Sequence, residues 1–292
     1  MQIVFHAGAH MTDEDRLLNC LTRNRDALAA EGVHVPPPRR YRKLLRDMLV
    51  AADRNGLAAD APEVFRDSVI EQDGPADRLI LSNDSFFGTP RMAVNRAQFY
   101  ASAVPRLEIF RQILGRDGFE FFFALRDPAT FLPALLAQTK LHSVDDLISG
   151  ADPAELRWSE MVLRLREAFP DMPITIWCNE DTPLTWGEVL REMAGLPPTD
   201  PVAGEFALLE EIMTEAGMKR FHAYLETHPG LTEAQKRRVI AAFLDKFAKE
   251  EEIEQELDLP GWTEDMVTQL SEIYDDDIYA IGRIEGVNLI TP

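Results

Sequence analysis

The stretch Phe119-Glu120-Phe121-Phe122-Phe123-Ala124-Leu125 is apolar at every position but one. A strand that is greasy on both faces suits the middle of a parallel sheet covered by helices on each side, because no face is left for water. Three other short apolar runs, Gln2–Phe5, Arg78–Leu81 and Ile174–Trp177, have strand length and are bounded by polar or turn residues. Amphipathic patterns alternate with them near Asp13–Ala30, Arg40–Arg54, Pro62–Glu71, Arg91–Gly115, Pro128–Thr139, Asp152–Phe169 and Trp186–Ala194. Strands alternating with helices imply βαβ units and a doubly wound α/β sheet. After Gly195-Leu196-Pro197-Pro198 no further strand is expected. The remainder reads as helices over Glu205–Thr227, Thr232–Leu257 and Thr263–Ile284, with a capping box at Thr232 and Gln235. No flexible linker precedes this region. The expectation is therefore one domain over residues 1–292: an α/β core (1–198) and a helical extension (199–292) packed on it.

The 292 residues carry 50 acidic against 30 basic side chains, a net charge of −20. Phosphate backbones are neutralised by clustered Lys and Arg, so nucleic acid and anionic membranes are not expected partners. No apolar run approaches bilayer-spanning length. The chain opens almost directly on strand-like residues, so no secretory leader is expected. Cys20 and Cys178 lie in no CxxC or Cys/His cluster, which makes a reduced, cytoplasmic setting the expectation and leaves no metal site to assign.

The end of the first strand is unusual. His6-Ala7-Gly8-Ala9-His10 runs into Met11-Thr12-Asp13-Glu14-Asp15-Arg16 and then a helical pattern. Strand, small-residue turn and helix start is the layout of a phosphate-cradling loop, because the N–H groups at a helix N-terminus point at an anion. Such a loop normally adds a Lys and more small residues, whereas here stand Met11 and three acids. Two other charge features stand apart. Arg39-Arg40-Tyr41-Arg42-Lys43-Leu44-Leu45-Arg46 is a basic cluster in an acidic chain; it reads either as a solvated helix face or as a site for an anionic ligand or protein. The acidic runs Lys249-Glu250-Glu251-Glu252 and Asp275-Asp276-Asp277 lack the glycine and spacing of a calcium loop and read as surface.

Four segments together resemble the sulfotransferase family, P-loop-like α/β proteins that use 3′-phosphoadenosine 5′-phosphosulfate (PAPS). The loop from His6 to Asp15, continuing through Asn24-Arg25 and Gly32-Val33 to Pro36, is similar to the bacterial pattern H-x-G-x-H-K-T-G-T-[ST] with N-R-x-x-L and G-V-x-x-P. Leu79-Ile80-Leu81-Ser82-Asn83-Asp84 is similar to a strand ending in Ser-x-Glu. Phe123-Ala124-Leu125-Arg126-Asp127-Pro128 is similar to the strand and R-D-P turn that holds the 3′-phosphate. Ile174-Thr175-Ile176-Trp177 through Glu180, Gly187 and Leu190 resembles the late strand and helix. Order and spacing carry the likeness, and it covers most of the chain.

The resemblance implies a role for each position. Met11 stands where the family's Lys would neutralise the leaving phosphate, Asp13 at its Gly, and Glu14 and Asp15 at its two hydroxyls; His10 and Thr12 match. Arg126 matches the 3′-phosphate Arg, but the Ser eight residues later is Ala134. Asp84 falls at the acidic base. Carboxylates facing a bound phosphate repel it by roughly 4 kcal/mol per charge pair at about 4 Å and an effective dielectric near 20. The acids also suit self-capping, with Thr12 and Asp15 close to a capping-box arrangement. Three functions follow from these positions. One is a non-catalytic sulfotransferase-like binding protein, for which no cofactor is expected. Another is an active transferase holding PAPS in a shifted pose and sulfating a hydroxyl of a carbohydrate or small molecule. The last is a binder of a cationic or neutral ligand at the acidic loop.

Overall fold

A computed structural model describes residues 1–70, 76–115, 118–249 and 259–292. Its strands are β1 (Gln2–His6), β2 (Val33–His34), β3 (Arg78–Ser82), β4 (Val94–Asn95), β5 (Gln98–Phe99), β6 (Phe119–Leu125), β7 (Ile174–Cys178) and β8 (Val287–Ile290). Six of them form an all-parallel sheet in the order β2-β3-β1-β6-β7-β8. The fold is α/β and doubly wound, as the alternation of runs requires. After β1 the chain moves to one side of the sheet and only later to the other. The crevice at the carboxyl ends of β1 and β6 is thus the topological switch point, where ligands of open α/β sheets sit.

Side chains alternate across β1 and β6 and fill two cores. Ile3, Phe5, Phe121, Phe123 and Leu125 join one cluster, and Val4, Phe122 and Ala124 join the other. On the first face lie α3 (Pro38–Asn55), α4 (Ala61–Val69), α5 (Ala103–Leu114), α6 (Pro128–Ala137), α7 (Val144–Ile148), α8 (Trp158–Ala168) and α13 (Glu264–Ile281). On the second lie α1 (Arg16–Arg23), α2 (Arg25–Ala30) and α9 (Thr182–Ala194). The helices α10 (Ala207–Ile212), α11 (Glu215–Thr227) and α12 (Glu233–Phe247) gather around a third cluster that includes Phe221 and Ile240.

Several expectations need correction. The strands do not stop at residue 198: Val287–Ile290 returns as β8, pairing in parallel with β7 at the sheet edge. Arg91–Gly115 is not one helix. A β4–β5 hairpin interrupts it, with Arg96 and Tyr100 at positive φ, and the helix begins only at Ala103. Asp13–Ala30 is two helices split at Asn24, whose side-chain amide donates to the carbonyls of Cys20 and Ala203. Asp277 is not a surface acid. It is buried and caps α8, accepting from the N–H groups of Trp158 at 2.6 Å and Ser159 at 3.1 Å. The capping box at Thr232 and Gln235 is present. Glu71, Glu250–Glu252 and the end of the helix expected to reach Leu257 lie outside the described residues. Among the described residues no helix is long and apolar enough to cross a membrane.

Candidate functional site

The loop after β1 emerges at the switch point, but its backbone is sewn to the neighbouring strand. Ala7 N–H donates to Phe122 O at 3.3 Å, Ala124 N–H to Gly8 O at 2.7 Å, and Ala9 N–H to Ala124 O at 2.9 Å. The next amide, His10 N–H, donates to the Tyr100 hydroxyl at 2.9 Å. That hydroxyl lies 2.7 Å from His10 Nδ1, and His10 Nε2 lies 3.1 Å from Gly88 O. With its lone pair taken by the backbone N–H, Tyr100 donates to Nδ1, and Nε2–H donates to Gly88 O. This assignment is that of a neutral imidazole, and burial lowers the His10 pKa while Asp84 opposes the shift.

At the helix start the side chains divide the work differently from a Thr12–Asp15 capping box. Thr12 donates its hydroxyl to Ala9 O at 2.8 Å. Asp13 is buried, and its carboxylate accepts from Leu17 N–H at 3.3 Å while its carbonyl accepts from Arg16 N–H at 2.7 Å. Asp13 thereby caps α1 with a carboxylate at the place where a cradle would hold phosphate. Burial raises its pKa, and the nearby His6 works in the opposite direction. Asp15 turns away, at φ 65°, and pairs with Arg42 through both oxygens, one of them 2.9 Å from Nη1. The hydrogen bond from Arg42 lowers the Asp15 pKa against a smaller effect of burial. Glu14 is exposed, 3.2 Å from Arg16. The repulsion expected from three bare acids is thus reduced at Asp15 by its pairing with Arg42.

Arg126 is brought to the loop, as its sequence position implies, but it is nearly buried and already engaged. Its Nη1 donates to Met11 O at 2.5 Å and its Nε to the Thr130 hydroxyl at 3.1 Å. Burial lowers its pKa, with Glu180, Glu14 and Asp127 opposing. Asp127 does not serve Arg126 as a direct hydrogen-bond partner. It caps α6 through Ala129 N–H at 2.8 Å and accepts from Ser271 Oγ at 2.5 Å. Ala134 lies half-buried on α6 and offers no hydroxyl. Asp84 lies beside the turn, its Cα 3.6 Å from where a Cβ on Gly8 would sit, and accepts from Ser85 Oγ at 3.0 Å. Around the carboxyl ends of the strands the carboxylates Asp13, Asp15, Asp84, Asp127 and Glu180 face two arginines, both engaged.

Sequence reasoning did not find Tyr100, nor the contacts that Ser82, Tyr41 and Arg42 make. Ser82 O accepts from Tyr41 Oη at 2.8 Å and from Arg42 Nε at 3.0 Å. Ser82 Oγ lies 2.9 Å from His6 Nδ1, and His6 Nε2 is buried without a hydrogen-bond partner among the described residues. The signals were the strand ending at Ser82 and the basic cluster, of which Arg42 pairs with the loop residue Asp15. Among the described residues no group of three or more His, Cys, Asp or Glu side chains is placed to hold a metal ion.

Among solved structures the chain is similar to a sulfotransferase from Alicyclobacillus acidocaldarius, with 14% identity, a TM-score of 0.40, and coverage of 90% of this chain and 98% of that one. At that identity and TM-score the likeness carries no argument about chemistry. No family model matches the sequence, and no curated protein matches it.

Proposed function

We propose that this chain is a sulfotransferase-like scaffold whose nucleotide-donor loop is closed on itself, so that it works by binding and not by sulfuryl transfer. The order of motifs along the sequence supports the family reading. One observation carries the functional one: the buried Asp13 carboxylate accepts from Leu17 N–H at the start of α1, the helix end an anion cradle would use. The residues present do not fit PAPS. Met11 supplies no cation, Arg126 is held on the Met11 carbonyl, and Ala134 leaves the 3′-phosphate half-site without its hydroxyl.

One buried carboxylate facing phosphate across an effective dielectric of about 20 costs about 4 kcal/mol at about 4 Å. Half of that still lowers affinity roughly thirtyfold, and opening the Arg126 and Ala9 hydrogen bonds adds about 1 kcal/mol for each. Calorimetric titration of the protein with adenosine 3′,5′-bisphosphate tests the proposal. The expected result is no saturable heat up to millimolar nucleotide, and micromolar binding overturns it.

A further inference from the structure

The basic cluster on α3 does more than solvate a helix. Its side chains meet α5 at the carboxyl end of β3, where a cavity of about 340 Å³ opens. Arg42, Lys43 and Arg46 line it from α3, Arg106 lines it from α5, and Phe86 and Phe110 contribute to its apolar part. Among the described residues no carboxylate lines the cavity, in a chain whose acids outnumber its bases by 50 to 30. We propose that this cavity is a binding site for a small organic anion with an aromatic body.

The four cations are held in different ways, and the differences define the ligand. Arg42 is fixed by Asp15 and by the Ser82 carbonyl, so it forms a rigid wall shared with the loop. Arg106 is half-buried, and its guanidinium has as its hydrogen-bond partner among the described residues the Phe86 carbonyl, at 3.3 Å. Asp53 is close enough to favour its charge, while burial disfavours it. A ligand anion beside Arg106 would supply the direct counter-charge that no described residue gives this guanidinium. Lys43 and Arg46 are exposed and both lean on Asp47, at 2.5 and 3.6 Å. Exposed pairs of this kind are weak, so both side chains can turn to an incoming anion at little cost.

The apolar part sets the other half of the specificity. Phe86 stacks on Phe5 with ring centroids 4.2 Å apart and packs on Phe110 at 5.4 Å, so the floor is a fixed aromatic surface that cannot collapse into the space. The volume lies at the small end of ligand pockets, room for a fused ring pair with one charged group. Inorganic phosphate would leave the floor wet, and a neutral aromatic would leave the cations unmatched. The site does not rest on the donor-loop reading: Arg42 pairs with the loop through Asp15, but Lys43 and Arg46 lean on Asp47 and Arg106 on the Phe86 carbonyl.

Titration of the full chain with 2-naphthyl phosphate, followed by calorimetry at low salt, tests the site. The expected result is saturable submillimolar binding, with 2-naphthol and inorganic phosphate each weaker by roughly tenfold or more. Arg46→Gln and Arg106→Gln should each weaken binding by roughly fivefold to tenfold. Arg46 is exposed, so its variant keeps the urea midpoint of the parent and separates binding from folding. Arg40→Gln, which alters a different cavity, should leave affinity unchanged. The proposal fails if no saturable binding is seen. It also fails if 2-naphthol or phosphate alone binds equally well, or if Arg40→Gln weakens binding while Arg46→Gln does not.

Discussion

The Arg42–Asp15 pair ties the basic cluster to the loop, and its strength can be worked out from its geometry. Asp15 keeps 48% of its side chain exposed and Arg42 25%, so the pair sits at a boundary between protein and water. Two unit charges about 4 Å apart attract by about 4 kcal/mol at an effective dielectric of 20 and by about 1 kcal/mol in water. Half-exposure and the cost of ordering two side chains bring the coupling to about 1–2 kcal/mol, near the top of the range for such pairs because the contact is bidentate. Arg42→Ala also loses the bonds to Ser82 O, worth about 1 kcal/mol each, although Tyr41 still serves that carbonyl, so its total cost should be about 2–4 kcal/mol.

Asp15→Asn keeps the left-handed backbone tolerable and removes only the charge. A urea double-mutant cycle with Arg42→Ala, Asp15→Asn and the pair reads the coupling directly. The pH dependence follows from Asp15's depressed pKa. The folded state releases the proton more readily than the unfolded chain, so the stabilisation is present above the ordinary aspartate value and is lost as pH falls through the folded value. The gap between wild type and Asp15→Asn should therefore narrow below about pH 4. A coupling under about 0.3 kcal/mol at neutral pH, or a gap that widens on acidification, would refute the reasoning.

Three further outcomes are expected. Tyr100→Phe strands the buried His10 N–H and should cost about 1–3 kcal/mol in urea unfolding, with a cost near zero showing that the N–H finds another acceptor. Cys20 and Cys178 are both buried and free, and burial raises both thiol pKa values, Cys178 to about 12; a colorimetric thiol reagent should react slowly with native protein and with both thiols once urea is added. Asp13 has a raised pKa, so its buried charge costs stability as pH climbs from the ordinary carboxylate value through the folded one. Asp13→Asn keeps an oxygen for Leu17 N–H and should gain on wild type over that rise, as read from urea midpoints at pH 4 to 8.

The central sheet was legible because β1, β3, β6 and β7 are short apolar runs whose period and length leave little choice. β8 was not, since Val287–Ile290 holds four residues of which one is fully buried. The hairpin inside Arg91–Gly115 was hidden for a related reason: β4 and β5 hold two residues each, too few to carry a period. At the loop, the residue types at positions 10 to 15 set the acids apart from the family pattern. Their partners did not follow from sequence, because Tyr100 lies 90 residues from His10 and Arg126 lies 115 from Met11. Capping by Asp13 and not Thr12 was equally invisible. Thr12 turns its hydroxyl to Ala9 O and Arg42 takes Asp15, partners that sequence spacing does not name.

The most direct measurement compares the natural loop with one restored to the family pattern by Met11→Lys, Asp13→Gly, Glu14→Thr and Asp15→Ser. Both proteins are titrated with adenosine 3′,5′-bisphosphate under one buffer and salt. The closed-loop account predicts saturable heat from the restored chain and at least roughly a hundredfold weaker binding by the natural one. Equal, saturable affinities would contradict it, because the acids and the missing lysine would then not be what keeps the nucleotide out.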